Sequence, residues 1–175
     1  MDTSSRILCY DIRDLGKQLL PVGMLVVLDS VFNRIIRNRR LGRSTWVYID
    51  EIYLLFQHEY SANFLFTLWK RVRKYGACCT GLTQNVDDLL QSHTARTMLA
   101  NSEFLVMLNQ ASTDRAELAR LLNISDNQLS YITNVDFGRG LIKCGSAIVP
   151  FMDHFPKNNL YRLMSTKPSE ADAAA

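Results

Sequence analysis

Ser44–Phe56 reads Ser-Thr-Trp-Val-Tyr-Ile-Asp-Glu-Ile-Tyr-Leu-Leu-Phe, and its interpretation decides the fold. Trp46 to Ile49 are β-branched or aromatic, with no polar alternation. That predicts a strand buried on both faces, as in a parallel sheet. The strand ends in two adjacent carboxylates, Asp50 and Glu51. In open α/β sheets the ligand site lies just beyond the carboxyl ends of the strands. There, one acid can hold Mg²⁺ and a second can orient or deprotonate an attacking water. Four apolar residues followed by Asp-Glu form the Walker B pattern. The same letters also suit a plain strand that ends in solvated acids.

Outward from this stretch, the chain of 175 residues is within the range of a single domain with one core. Its net charge of +3 is too mild to imply a nucleic-acid partner. The longest apolar run, Met24 to Leu28, is too short to span a bilayer, and no signal peptide is expected. The four cysteines form no C-x-x-C pair. Cys9, Cys78 and Cys79 lie in apolar, strand-like runs and are expected as buried free thiols in a reducing compartment.

Upstream, Arg6 to Ile12 is predicted as a strand, with Asp14 able to cap the next element. Gly16-Lys17 is a decoy. A phosphate loop needs Gly-x-x-x-x-Gly-Lys-Ser/Thr, but Asp11 stands five before Gly16 and Gln18 comes after Lys17. No other Gly-Lys pair occurs in these residues. Pro21 is expected to start a helix that runs to Arg40. Its core stripe is Leu25, Leu28, Val31, Phe32, Ile35 and Ile36. Arg34, Arg37, Arg39, Arg40 and Arg43 crowd its end, either as a dipole-matched helix end or as an anion patch.

Downstream, Ser61 is expected to cap a helix from Ala62 to about Tyr75, which Gly76 stops. Lys70, Arg71, Arg73 and Lys74 cluster at its end. Ala77 to Leu82 is predicted as a further buried strand that runs into Thr83-Gln84-Asn85. Gln84 is thereby a candidate to position the terminal phosphate and its attacking water, or a loop amide capping a helix at Val86–Leu90. A short helix at Thr94–Ala100 and a strand at Glu103–Leu108 come next. Capping boxes are expected at Asp114-x-x-Glu117 and Ser125-x-x-Gln128. Leu141–Cys144 and Ala147–Phe151 form a predicted hairpin, and Lys167 to Ala175 a disordered tail. This order implies a three-layer α/β fold.

Together, W-V-Y-I-D-E-I-Y-L-L-F, K-R-V-R-K-Y-G, G-L-T-Q-N-V-D-D-L-L, G-R-G-L-I-K-C-G and I-V-P-F resemble the motor ATPases of conjugative, type IV secretion systems. The likeness is to the C-terminal half of the VirB-type ATPase, in the FtsK/HerA superfamily of RecA-like motors. It covers about residues 6 to 165. It implies a partial RecA-like P-loop NTPase core over 1–166, mostly parallel, with a C-terminal hairpin. It implies Mg²⁺ and ATP as cofactors, a hexameric ring, and secretion-channel components at the inner membrane as partners. The location implied is cytoplasmic, peripheral to that membrane, with no span of the chain's own. Residue by residue, Asp50 matches the Mg²⁺-directing acid, Glu51 the catalytic base and Gln84 the sensor glutamine. Arg73 lies three residues before Gly76, where related motors place an arginine that reaches a neighbour's nucleotide; a surface cation is the alternative. The family's phosphate loop and its strand are expected upstream of residue 1, which leaves these residues alone inactive. Two further readings stay open: a DNA-pumping translocase or coupling protein of the same superfamily, and a non-catalytic interaction remnant.

Overall fold

The computed structural model describes residues 5–84, 86–110 and 112–164. The chain divides into two compact units, Met1–Asn101 and Ser102–Ala175.

The first unit is built on helix α1 (Gly16–Arg40), strand β1 (Thr45–Ile49), helix α2 (Glu59–Arg71), strand β2 (Ala77–Gly81) and helices α3 (Val86–Gln91) and α4 (His93–Ala100). Tight 3₁₀ turns occupy Ile52–Phe56 and Val72–Tyr75. β1 and β2 pair in parallel, with Thr45 opposite Ala77 and Ile49 opposite Gly81. α1 and α2 supply the core: Met24, Leu28, Ile35, Leu65 and Leu68 are all buried, with Ile52, Leu55, Leu89 and Met98 packed among them. Phe32 locks the two helices together by edge-to-face contacts with Phe64 and Tyr75, at centroid distances of 6.4 and 5.5 Å. Gly76 ends the second helical run in the left-handed region, at φ 65°, where a side chain would be strained.

Several expectations for this unit are corrected. β1 is not buried on both faces. Its burial alternates, and Trp46 and Tyr48 are 63% and 66% exposed. Val47 and Ile49 take the core side. Period-2 geometry sends neighbouring side chains to opposite faces, and helices cover one of them. β2 behaves likewise: Cys78 is exposed and Cys79 packs on the core. Cys9 and Cys144 are exposed as well, so the expectation of buried thiols fails for Cys9 and Cys78.

Arg6–Ile12 is not a strand. A strand requires a hydrogen-bonded neighbour, and this segment lies along α1 instead. There the Tyr10 hydroxyl meets Ser30 Oγ at 3.0 Å, and Arg34 donates to the Ser5 carbonyl at 2.9 Å. α1 starts at Gly16 and carries Pro21 inside it; its N-cap position is Leu15, without a side-chain cap, so neither Pro21 nor Asp14 sets its start. By length and composition, Gln18–Arg40 contains an 18-residue window apolar enough to cross a bilayer. Run length does not register this window, because single polar residues such as Asp29 and Asn33 interrupt it. α2 begins at Glu59, so Ser61 is not its cap. Ser61 is buried and donates from Oγ to the carbonyls of Leu55 and His58, at 2.6 and 3.0 Å.

The second unit holds strand β3 (Phe104–Met107), helices α5 (Ser112–Leu122) and α6 (Asp126–Leu129), strands β4 (Arg139–Cys144) and β5 (Ala147–Met152), and helix α7 (Asn159–Met164). β3, β4 and β5 form an antiparallel sheet in that order. The expected hairpin is present as β4–β5. Parallel pairing is therefore confined to β1–β2 among the described residues, so the sheet structure is mixed rather than mostly parallel. Leu118, Leu122, Ile124 and Ile132 are buried, as are Met107 and Leu141 on one face of the sheet. The Ser125–Gln128 capping box forms as expected, with Ser125 Oγ accepting the Gln128 N–H and Gln128 Oε1 accepting the Ser125 N–H. The capping box expected at Asp114 and the tail from Lys167 lie outside the residues whose side chains are described.

Candidate nucleotide site at the strand ends

Two hydrogen bonds clasp the carboxyl ends of the parallel pair. The Leu82 N–H donates to the Ile49 carbonyl at 2.8 Å, and the Ile52 N–H donates to the Leu82 carbonyl at 2.9 Å. Asp50 and Glu51 are the two residues caught between these bonds. Ile52 must then turn into the core, where it is 5% exposed. Glu51 makes that reversal by adopting φ 48°, ψ 49°, a left-handed conformation that side chains other than glycine's seldom take. Gly81 makes the room. A Cβ there would come within 3.2 Å of Ile52 Cγ2 and closer still to Cδ1.

The two acids are placed differently. Asp50 is exposed, and its Oδ1 accepts the Glu51 N–H at 3.1 Å. Glu51 is partly buried, and its Oε2 is fully buried with no hydrogen-bond partner. Buried polar atoms in folded proteins are nearly always satisfied, so an orphaned carboxylate oxygen is a costly feature. It coincides here with a strained backbone, and such pairs of costs gather at functional positions.

Gln84 is the third residue beyond β2 and is exposed. Because β1 and β2 are parallel and end in register, Gln84 lies at the same end of the pair as Asp50 and Glu51. Arg73 does not. It sits in the 3₁₀ turn that enters β2, at the end where the Thr45 N–H donates to the Gly76 carbonyl. A five-residue strand at about 3.3 Å per residue separates it from the acids by roughly 15 Å. Arg73 is exposed, and its side chain has no hydrogen bond or ion pair among the described residues. Within one chain it cannot reach Asp50 or Glu51.

The donor set suits Mg²⁺ better than a metal caged by protein. Among the described residues no group of three or more His, Cys, Asp or Glu side chains converges. Mg²⁺ commonly keeps several waters and takes one or two carboxylates plus substrate phosphates. Asp50, exposed at the strand end, is that kind of donor.

Sequence reasoning named these four residues but missed what holds them. Nothing in the letters marks Glu51 as left-handed. The one available signal was Gly81 at a strand end, which often denotes close backbone or side-chain approach.

The model of the TraG P-loop domain family matches residues 4–139. The solved structure of VirB4 of Thermoanaerobacter pseudethanolicus superposes with a TM-score of 0.75 at 25% sequence identity. The match covers 86% of this chain and 42% of that one, so the chain spans less than half of the VirB4 structure's length. No curated protein matched.

Proposed function

The chain belongs to the TraG P-loop domain family, and from that premise we propose that it is the C-terminal part of an ATP-hydrolysing motor that energises conjugative transfer or type IV secretion. The observation that carries this reading is the acid pair at the clasped strand ends, with Glu51 strained and its Oε2 orphaned. In this reading Asp50 directs Mg²⁺ through water, and Glu51 accepts a proton from the attacking water. Gln84 orients that water from the neighbouring strand end. ATP and Mg²⁺ supply the phosphoryl group and its charge neutralisation when bound. Arg73, roughly 15 Å from its own acids, serves the nucleotide of an adjacent subunit in a hexamer. The motor works in the cytoplasm against the inner face of the cell membrane, with other channel components as partners.

A second reading has one observation in its favour. The ends of α1 and of the turn after α2 bring Arg37, Arg39, Arg40, Arg43, Arg71, Arg73 and Lys74 to the amino end of the parallel pair. No carboxylate occurs from Ser30 to Ile49 or from Tyr60 to Val86. Such a surface suits a DNA-pumping translocase or coupling protein, whose binding falls steeply with salt.

The deciding experiment is Mg-dependent phosphate release. A complete motor containing this segment should turn over ATP, and Glu51→Gln should abolish turnover while nucleotide binding persists. The 175 residues alone should be inactive, because they contain no run of glycines or loop lysine to cradle the β- and γ-phosphates. Robust turnover by these residues, or full activity of Glu51→Gln, refutes the assignment. Hydrolysis stimulated by DNA would favour the second reading.

A further inference from the structure

The outward face of α1 carries an arrangement that the nucleotide chemistry does not use. Helical spacing aligns Leu19, Val22, Val26, Asn33, Arg37 and Arg40 on one strip. This is not the packed side of the helix. Leu19, Val22 and Val26 are 61%, 58% and 63% exposed, whereas Met24, Leu28 and Ile35 are buried. Surface helices ordinarily turn polar residues outward. This strip is aliphatic in its first half and cationic in its second.

A groove of about 380 Å³ opens where the extended segment Arg6–Ile12 lies antiparallel to α1. Leu8 and Val26 line it together with Asn33, Arg34 and Arg37. Its one acid, Asp29, accepts a hydrogen bond from the Asn33 amide at 2.9 Å. Arg34 gives one N–H to the Ser5 carbonyl, and its other guanidinium N–H groups have no partner among the described residues. The Arg37 side chain has no partner among the described residues. Val26 belongs to both features, so the groove runs into the aliphatic half of the strip. At 1.5 Å per residue, Arg37 lies roughly 16 Å along the axis from Val26 and roughly 27 Å from Leu19.

We propose that this face binds the anionic lipid surface of a membrane. Arg34 and Arg37 take the phosphodiester of an acidic phospholipid in the groove. Val26, Val22 and Leu19 meet the acyl region, so α1 dips its first half beneath the headgroups. Arg39, Arg40 and Arg43 add attraction from the helix end. Stable surface anchoring takes two signals, an apolar element and a polybasic one, and α1 has both in continuity. A nucleic acid would engage the cations but leave the aliphatic half without a role. The proposal rests on the functional reading only for placing the chain beside the cell membrane. Vesicle binding and phosphate release are separate measurements, and either can fail alone.

The test is flotation of the 175-residue chain with phosphatidylcholine vesicles, with and without phosphatidylglycerol. The chain should float with the acidic vesicles at low salt and not with phosphatidylcholine alone. Each positive charge near an acidic leaflet strengthens binding about fivefold, so Arg34→Gln with Arg37→Gln should weaken it roughly tenfold or more. Val22→Ser with Val26→Ser, both exposed, should also weaken it. Far-UV circular dichroism checks that each variant folds, and Arg37→Gln alone tests the charge without disturbing the Ser5 bond. Equal binding to neutral vesicles, or undiminished binding by either double variant, overturns the proposal. So does an arginine variant that loses a single-stranded oligonucleotide but keeps its vesicles.

Discussion

Replacing Glu51 by glycine should make the protein more stable while destroying the proposed chemistry. Three terms set the magnitude. Glycine adopts the φ 48°, ψ 49° conformation freely, which recovers about 1–2 kcal/mol of left-handed strain. Removing the side chain also removes the buried, unpartnered Oε2, worth about 1–3 kcal/mol of unrecovered desolvation. Against these, glycine loses about 0.5–1 kcal/mol more backbone entropy on folding. The balance is a net gain of about 1–4.5 kcal/mol. Urea unfolding of the 175-residue chain reads it as a higher midpoint with an unchanged slope. Glu51→Gln retains the left-handed backbone and should gain less. In the complete motor both variants should bind nucleotide and fail to turn it over. A Glu51→Gly midpoint at or below that of the parent would refute the reasoning, because it would mean that Glu51 is held by favourable contacts rather than against a cost.

Three further outcomes are expected. Arg73→Ala in the complete motor should lower kcat sharply and leave nucleotide affinity nearly intact, since the residue cannot reach its own chain's acids; unchanged turnover would make it an ordinary surface cation. Leu65→Ala removes a side chain with 0% exposure at the centre of the first unit, and should cost about 2–5 kcal/mol in urea unfolding. Burial, aided by the neighbouring Cys78, pushes the Cys79 thiol from 9.0 up to about 12. The unfolded chain therefore releases this proton near pH 9 while the folded chain retains it. Stability falls as pH rises from about 9 towards 12, by up to about 1.4 kcal/mol per unit. Cys79→Val should flatten that decline, and a thiol reagent should modify Cys9, Cys78 and Cys144 well before Cys79.

Much of the element order was legible in the letters. The Gly76 stop, the Ser125–Gln128 capping box and the β4–β5 hairpin are local patterns, and each formed close to its expected boundaries. The errors share a cause. Whether Arg6–Ile12 becomes a strand depends on a hydrogen-bonding neighbour, which its own residues do not encode. Whether Trp46 and Tyr48 are covered depends on what packs against β1, and an apolar run looks the same with one face covered or two. Cys78 and Cys79 are adjacent identical letters with opposite fates, separated only by the alternation of the strand.

The sequence alone determined the chemistry on offer. Asp50 and Glu51 come after an apolar strand, Gln84 after the next one, and Arg73 precedes Gly76, because short-range preferences of residues decide where strands stop and helices end. Tertiary structure decided which of these groups meet. Parallel pairing of β1 and β2 brought the acids and Gln84 to one end and sent Arg73 to the other. The clasp between Ile49, Leu82 and Ile52 forced Glu51 into a left-handed turn with a buried oxygen. Strand direction and chain reversal are fixed by hydrogen bonds between residues far apart in sequence, and no local preference for either is written in the residues themselves.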